Sequence, residues 1–228
     1  MKPDPADLLP AIEIETGPHP LSTVLWLHGL GAHGSDFVPI VDELSLSPSL
    51  PVRFIFPHAP MRPVSINRGM VMRAWFDYDE VSHDAGVRED VASLRQSQIA
   101  VEALIAREKE RGIGAGRIVL AGFSQGGALA LQAGLRHPEK LAGIMALSCY
   151  LPAAQTFASE THRSNLPTPI FMAHGMADLV IPVDFARLSR ECLIEAGYAV
   201  EWHEYEMAHS VCAQEITHIG EWLKRVLA

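Results

Sequence analysis

Gly116-Arg117-Ile118-Val119-Leu120-Ala121-Gly122-Phe123-Ser124-Gln125-Gly126-Gly127-Ala128-Leu129-Ala130-Leu131-Gln132-Ala133 decides the fold of this chain. Gly116 to Leu120 has the apolar character of a buried strand, and Ala128 to Ala133 is a run of good helix formers. Ser124 therefore sits at a strand-to-helix turn. So sharp a bend brings neighbouring backbone into contact, and the positions two before and two after the serine tolerate little but a missing side chain. Gly122 and Gly126 fill both. The serine also opens a helix, where unpaired N–H groups and the dipole favour developing negative charge. Gly-x-Ser-x-Gly alone is a pattern that chance can supply, so its surroundings must decide whether Ser124 is a nucleophile.

Working outward, strands alternate with helices. Thr23 to His28 reads as a strand covered on both faces and runs into Gly29-Leu30-Gly31-Ala32-His33-Gly34. Ser35 is a candidate cap for a helix burying Phe37, Ile40, Val41 and Leu44, and Val52 to Phe56 is the next strand. Upstream, residues 1–20 form a proline-rich arm in which Ala11 to Glu15 alternates like an edge strand. Val87 to Arg111 has a long amphipathic pattern that Gly112 can end. Beyond the serine, Leu141 to Leu147, Pro169 to His174 and Ala199 to Tyr205 read as strands, and Ser148 to Pro167 as a polar loop. Helices are predicted from Val183 to Ala196 and at the end of the chain. Alternation of this kind predicts an α/β fold, a mostly parallel central sheet with helices on both faces, and ligands at the strands' carboxyl ends. At 228 residues, a single domain over 1–228 is expected.

Residues 57–86 break the pattern. So long a stretch without period is functional or disordered, and its apolar content, Met61, Ile66, Met70, Met72, Trp75 and Phe76 included, argues for a loop over an apolar groove. Met72 and Trp75 are thereby candidate substrate contacts. Asp77, Asp79, Glu80, His83 and Asp84 follow no recognised cation-ligand spacing and read as a solvated loop.

Composition narrows the function. With 18 Lys and Arg against 27 Asp and Glu, the net charge of −9 leaves no basic stripe for phosphates, which argues against a nucleic-acid partner. Cys149, Cys192 and Cys212 include no Cys-x-x-Cys pair, so neither a zinc site nor a redox dithiol is expected. The acidic, proline-bearing start and the lack of a long apolar run predict a soluble cytoplasmic protein without a cofactor or metal.

A serine nucleophile needs a base, and the base an acid that fixes its tautomer; on this fold the chain order is Ser, Asp or Glu, then His. Two aspartates follow Ser124: Asp184 opens a helical pattern, whereas Asp178 directly follows a strand in Gly175-Met176-Ala177-Asp178. Of the later histidines, His203 lies within a strand and His218 within a helix, which leaves His209 in a loop that can aim it. Ser124, Asp178 and His209 are the expected triad. The backbone N–H groups of Leu30 and Gln125 are the expected oxyanion hole, with Gly29 and Gly31 letting Leu30 approach the substrate. His28 and His174, each ending a strand, are read as loop-orienting residues.

With those residues in place, the chain resembles the bacterial carboxylesterase and acyl-protein thioesterase family, the phospholipase/carboxylesterase family of α/β-hydrolases. The resemblance runs nearly end to end, through Leu27 to Gly31, Pro57 to Pro60, Arg73 to Asp77, Gly122 to Gly127, Leu147 to Pro152, His174 to Asp178 and Met207 to Ser210. It implies the same triad and oxyanion hole, no inserted cap domain, and a serine carboxylesterase acting on esters or thioesters with short to medium acyl chains. Lysophospholipase or acyl-protein thioesterase activity is the alternative; a non-catalytic apolar-ligand binder on this fold is a weaker one. Tyr150 stands where many members have tryptophan, and Asp178-Leu179-Val180-Ile181-Pro182 departs from the Asp-Pro-Leu-Val-Pro of the animal enzymes. Tyr150 and Leu179 are thus implied beside the acyl site. No cysteine precedes Cys149, whereas the animal enzymes carry an acylated one near the N-terminus, so stable membrane attachment is not expected. The oligomeric state, homodimer included, stays open.

Overall fold

The structure, a computed structural model, describes residues 8–82 and 86–228. Its strands are β1 (Ala11–Glu15), β2 (Ser22–Leu27), β3 (Val52–Pro57), β4 (Met61–Val64), β5 (Met70–Arg73), β6 (Tyr78–Ser82), β7 (Gly86–Glu89), β8 (Ile118–Phe123), β9 (Gly143–Leu147), β10 (Ile170–Gly175) and β11 (Val200–Tyr205). The helices are α1 (Ile40–Glu43), α2 (Val91–Glu110), α3 (Gln125–Arg136), α4 (Ala154–Glu160), α5 (Val183–Glu195) and α6 (Ala213–Leu227). Seven strands form the central sheet in the order β1-β3-β2-β8-β9-β10-β11, all parallel except β1, which runs antiparallel to β3.

Both faces of this sheet are covered, which is why its inner strands read as continuous apolar runs rather than alternating ones. Leu25, Leu27, Ile55, Ile118 and Leu120 face one apolar cluster with Leu94, Val101 and Leu104 of α2 and Leu129 and Leu131 of α3. Val24, Trp26, Phe54, Phe56, Val119 and Ala121 face the other, with Ile40 and Val41 of α1 and Ile219, Trp222 and Leu223 of α6. Register then positions the site. Leu27 pairs with Gly122 and Phe123 with Leu147, so the segments leaving β2, β8 and β9 emerge side by side at one edge of the sheet.

Four expectations need correcting. Ser35 caps no long helix: it lies within a 3-10 turn, Gly34–Phe37, and Pro39, lacking an N–H, separates that turn from the four-residue α1. The pattern from Val87 splits, with Val87 to Glu89 in β7 and the helix starting at Val91. There the Asp90 carboxylate accepts the Ala92 and Ser93 N–H groups at 3.1 and 3.2 Å. Ser148 to Pro167 contains α4. Residues 57–86 are not one loop, for β4 pairs with β5 and β6 with β7 as antiparallel hairpins; strands of four and five residues are too short to show a period beside Pro63 and the Tyr78/Glu80 irregularity. His83 and Asp84 of the acidic stretch lie outside the described residues. Asp77 is committed to the Ser65 and Tyr78 N–H groups at 2.8 Å each, and no group of His, Cys, Asp or Glu among the described residues could hold a metal ion.

Candidate active site

Ser124 links β8 to α3 with φ 55° and ψ −122°, a region that residues with side chains rarely enter. Missing side chains around it make the bend fit. A Cβ on Gly122 would lie 2.2 Å from the Gly126 carbonyl oxygen, and one on Gly126 would lie 2.2 Å from that of Leu27. The Ser124 N–H donates to Leu147 O at 2.8 Å, which ties the turn to the neighbouring strand.

The other two members of the expected triad come from the ends of β10 and β11. A Cβ on Gly175 would sit 2.4 Å from the carbonyl oxygens of both Met207 and Ala208, so the bare glycine lets the two segments close on each other. The Met176 and Ala177 N–H groups donate to Tyr205 O and Met207 O at 2.8 and 3.1 Å. In the resulting arrangement His209 Nε2 is 2.9 Å from Ser124 Oγ, and His209 Nδ1 is 2.6 Å from Asp178 Oδ2. A carboxylate only accepts, so the proton belongs on Nδ1 and the Nε2 lone pair faces the serine hydroxyl. Asp178 is buried, and its Oδ1 accepts the Val180 and Ile181 N–H groups at 2.8 and 2.9 Å. His174 Nε2 donates to Ile181 O at 2.8 Å and stands 3.3 Å from Asp178 Oδ2, while burial lowers its affinity for a proton. It orients the Asp178 turn as a neutral ring.

Two N–H groups on the segments around this turn, those of Leu30 and Gln125, are not taken up by backbone acceptors among the described residues. Leu30 N–H meets no backbone acceptor among the described residues, although Gly31 N–H donates to Arg73 O at 2.8 Å and Ala32 N–H to Gly29 O at 3.2 Å. Gln125 opens α3, so its N–H has no acceptor within the helix.

A cavity of about 630 Å³ opens onto Ser124 and His209. Its walls come from five segments: Leu30 to Phe37, Ile66, Tyr78 with Val87, Tyr150, and Leu179 to Phe185. Of the four expected substrate contacts, Tyr150 and Leu179 line it, whereas Met72 and Trp75 do not. Trp75 is fully buried, with its indole N–H donating to His28 O at 2.8 Å, and the Met72 sulfur accepts from Asn67 Nδ2 at 3.3 Å. The larger apolar wall, Val180, Ile181, Pro182 and Phe185, was missed. Its signal was present in the unbroken apolar run directly after Asp178, with Leu179 93% and Val180 64% exposed at the cavity mouth.

His28 holds the loop that carries Leu30. Nδ1 donates to Gly29 O at 2.7 Å and Nε2 accepts the Ala59 N–H at 3.1 Å, so only the neutral ring satisfies both. Burial lowers its pKa from 6.5 to about 4. Between those values the unfolded chain binds the proton and the folded one does not, so stability falls as pH drops. The effect is about 2 kcal/mol between pH 7 and pH 5. Glu215, raised by burial to about 8, works in the opposite direction over that range, so the bulk curve is not diagnostic. Urea unfolding of the wild type and His28→Gln at both pH values isolates the effect: the variant should lack about 2 kcal/mol of acid destabilisation.

Known proteins share this arrangement of elements. Residues 10–227 match the model of the phospholipase/carboxylesterase family. Acyl-protein thioesterase 1 of Yarrowia lipolytica is 40% identical over 228 residues, covering 98% of each chain. The crystal structure of Arabidopsis thaliana SOBER1 superposes with a TM-score of 0.85 at 34% identity, covering 91% of this chain and 99% of that one. Acyl-protein thioesterase 2 of Zea mays gives 0.82 at 26% identity, covering 96% and 99%. These three relatives are fungal and plant proteins. On this evidence the chain belongs to the phospholipase/carboxylesterase family, has the α/β-hydrolase fold, and is a hydrolase of carboxylic esters.

Proposed function

We propose that Ser124 is the nucleophile, His209 its general base and Asp178 the residue that fixes the base, with the N–H groups of Leu30 and Gln125 as the oxyanion hole. The observation that carries this is the continuous hydrogen-bonded line from Ser124 Oγ through His209 to Asp178, opening into the apolar cavity. His209 takes the hydroxyl proton as Oγ attacks the acyl carbonyl, and the two N–H groups hold the oxyanion. The leaving alcohol or thiol then takes the proton from His209. Water repeats the sequence on the acyl-enzyme and releases the acid.

In this assignment the substrate is a small acyl ester or thioester with a short to medium chain. The protein acts in the cytoplasm as one domain, without stable membrane attachment; a homodimer is compatible with it. A second reading, hydrolysis of S-acylated proteins, is favoured by the names of the fungal and plant relatives and by the exposed Leu179 and Val180 at the cavity mouth, which a macromolecular leaving group could rest on. Matched oxyester and thioester series from acetyl to palmitoyl test both. An optimum at short to medium chains with comparable rates in the two series is expected; a strong thioester preference with long chains would favour the second reading. No turnover, with no labelling of Ser124 by an organophosphate, would leave only an apolar-ligand binder.

A further inference from the structure

Four consecutive residues, Arg73 to Phe76, join the two segments that carry the proposed oxyanion donors. On one side, Arg73 O accepts the Gly31 N–H at 2.8 Å, and the Trp75 indole N–H donates to His28 O at 2.8 Å. On the other, the Gln125 side-chain amide is used at both ends: Oε1 accepts the Trp75 N–H at 2.7 Å, and Nε2 donates to Phe76 O at 2.8 Å. Both residues are sealed from solvent, Trp75 at 0% and Gln125 at 1% exposure. The Ser97 hydroxyl closes the back of the bracket by donating to Trp75 O.

The amide cannot flip, because the Trp75 N–H needs an acceptor and Phe76 O a donor. Its two backbone partners sit in a segment that also grips the Leu30 loop. The main chain of Gln125 carries one proposed donor while its side chain fastens the bracket that holds the other. We infer that the Gln125 side chain is a positioning residue that sets the separation of the two oxyanion donors through Arg73 to Phe76. The inference rests on the proposed role of the Leu30 and Gln125 N–H groups. It assigns the side chain a task separate from that of its own backbone.

Differential binding supplies the test, since an interaction that matters only for the oxyanion changes transition-state affinity and leaves ground-state affinity alone. Gln125→Met keeps the length of the side chain and removes both backbone bonds, together with the amide's interaction with the Tyr78 phenol. For this variant kcat on a chromogenic acyl ester should fall about 30-fold with KM within about threefold, a loss smaller than removal of one donor outright. Inhibition by a trifluoromethyl ketone, which forms a tetrahedral oxyanion on Ser124, should weaken in parallel. Inhibition by the matched unreactive amide should hold within about twofold. Equal weakening of both inhibitors, or of neither, would overturn the inference.

Gln125→Glu serves if the methionine variant does not fold. Its ionised carboxylate can accept from Trp75 but cannot donate to Phe76 O, and its protonated form does both. Measured against wild type at each pH, its relative kcat should rise as pH falls; a flat ratio would overturn the inference. Failure of the wild type to hydrolyse any acyl ester would instead remove the functional assignment on which this rests.

Discussion

Ser124→Ala should fold as the wild type does and hydrolyse a chromogenic acyl ester at least about 10⁴-fold more slowly. The loss is large because the hydroxyl is held 2.9 Å from an imidazole nitrogen whose other nitrogen is fixed by a carboxylate. Stability should change by less than about 1 kcal/mol, since the Oγ bond to His209 is one hydrogen bond at the cavity wall and His209 keeps its bond to Asp178. The bonds that shape the turn are main-chain ones, Ser124 N–H to Leu147 O and Ala128 N–H to Ser124 O, and alanine keeps both. Steady-state kinetics beside a thermal melt check this. Retained turnover in the folded variant would sink the assignment of Ser124.

Asp178→Asn should cost on the order of 10³- to 10⁴-fold in kcat, for a different reason. The asparagine oxygen can still accept the Val180 and Ile181 N–H groups that Oδ1 accepts now. The amide nitrogen then faces His209 Nδ1 and can only donate, which pushes the imidazole proton onto Nε2 and points it at Ser124. The base becomes a donor where it must be an acceptor. Geometry survives while the tautomer is wrong, so a melt close to wild type with a collapsed kcat is the diagnostic pair. A loss below about tenfold would show that Asp178 does not fix the base.

How far the sequence could be read varied with the length and symmetry of each element. The inner strands were legible because both faces of the sheet are buried, which leaves continuous apolar runs in β2, β3, β8, β9 and β10. The hairpins within 57–86 were not, because strands of four and five residues, one interrupted by Pro63 and another irregular at Tyr78/Glu80, carry no countable period. Trp75 illustrates the same limit within the site. A tryptophan in an apolar stretch reads as a substrate contact, yet its indole N–H found a buried partner in His28 O, and it became part of the scaffold beneath the cavity.

By its own content the sequence determined the candidates for the proposed chemistry: which serine stands at a forced bend, which aspartate follows a strand, and which histidine a loop can aim. Those are local properties, set by glycine at contact positions and by the ends of apolar runs. Only the tertiary structure decided that Asp178 and His209 meet, because Gly175 admits the carbonyls of Met207 and Ala208. It also decided which apolar residues wall the cavity and which hold it up, for that depends on the direction of each side chain in the packed chain. The bracket from Arg73 to Phe76 belongs to the same class. Its bonds run from Trp75 back 47 residues to His28 and on 50 residues to Gln125, and no local pattern encodes contacts that span so much chain.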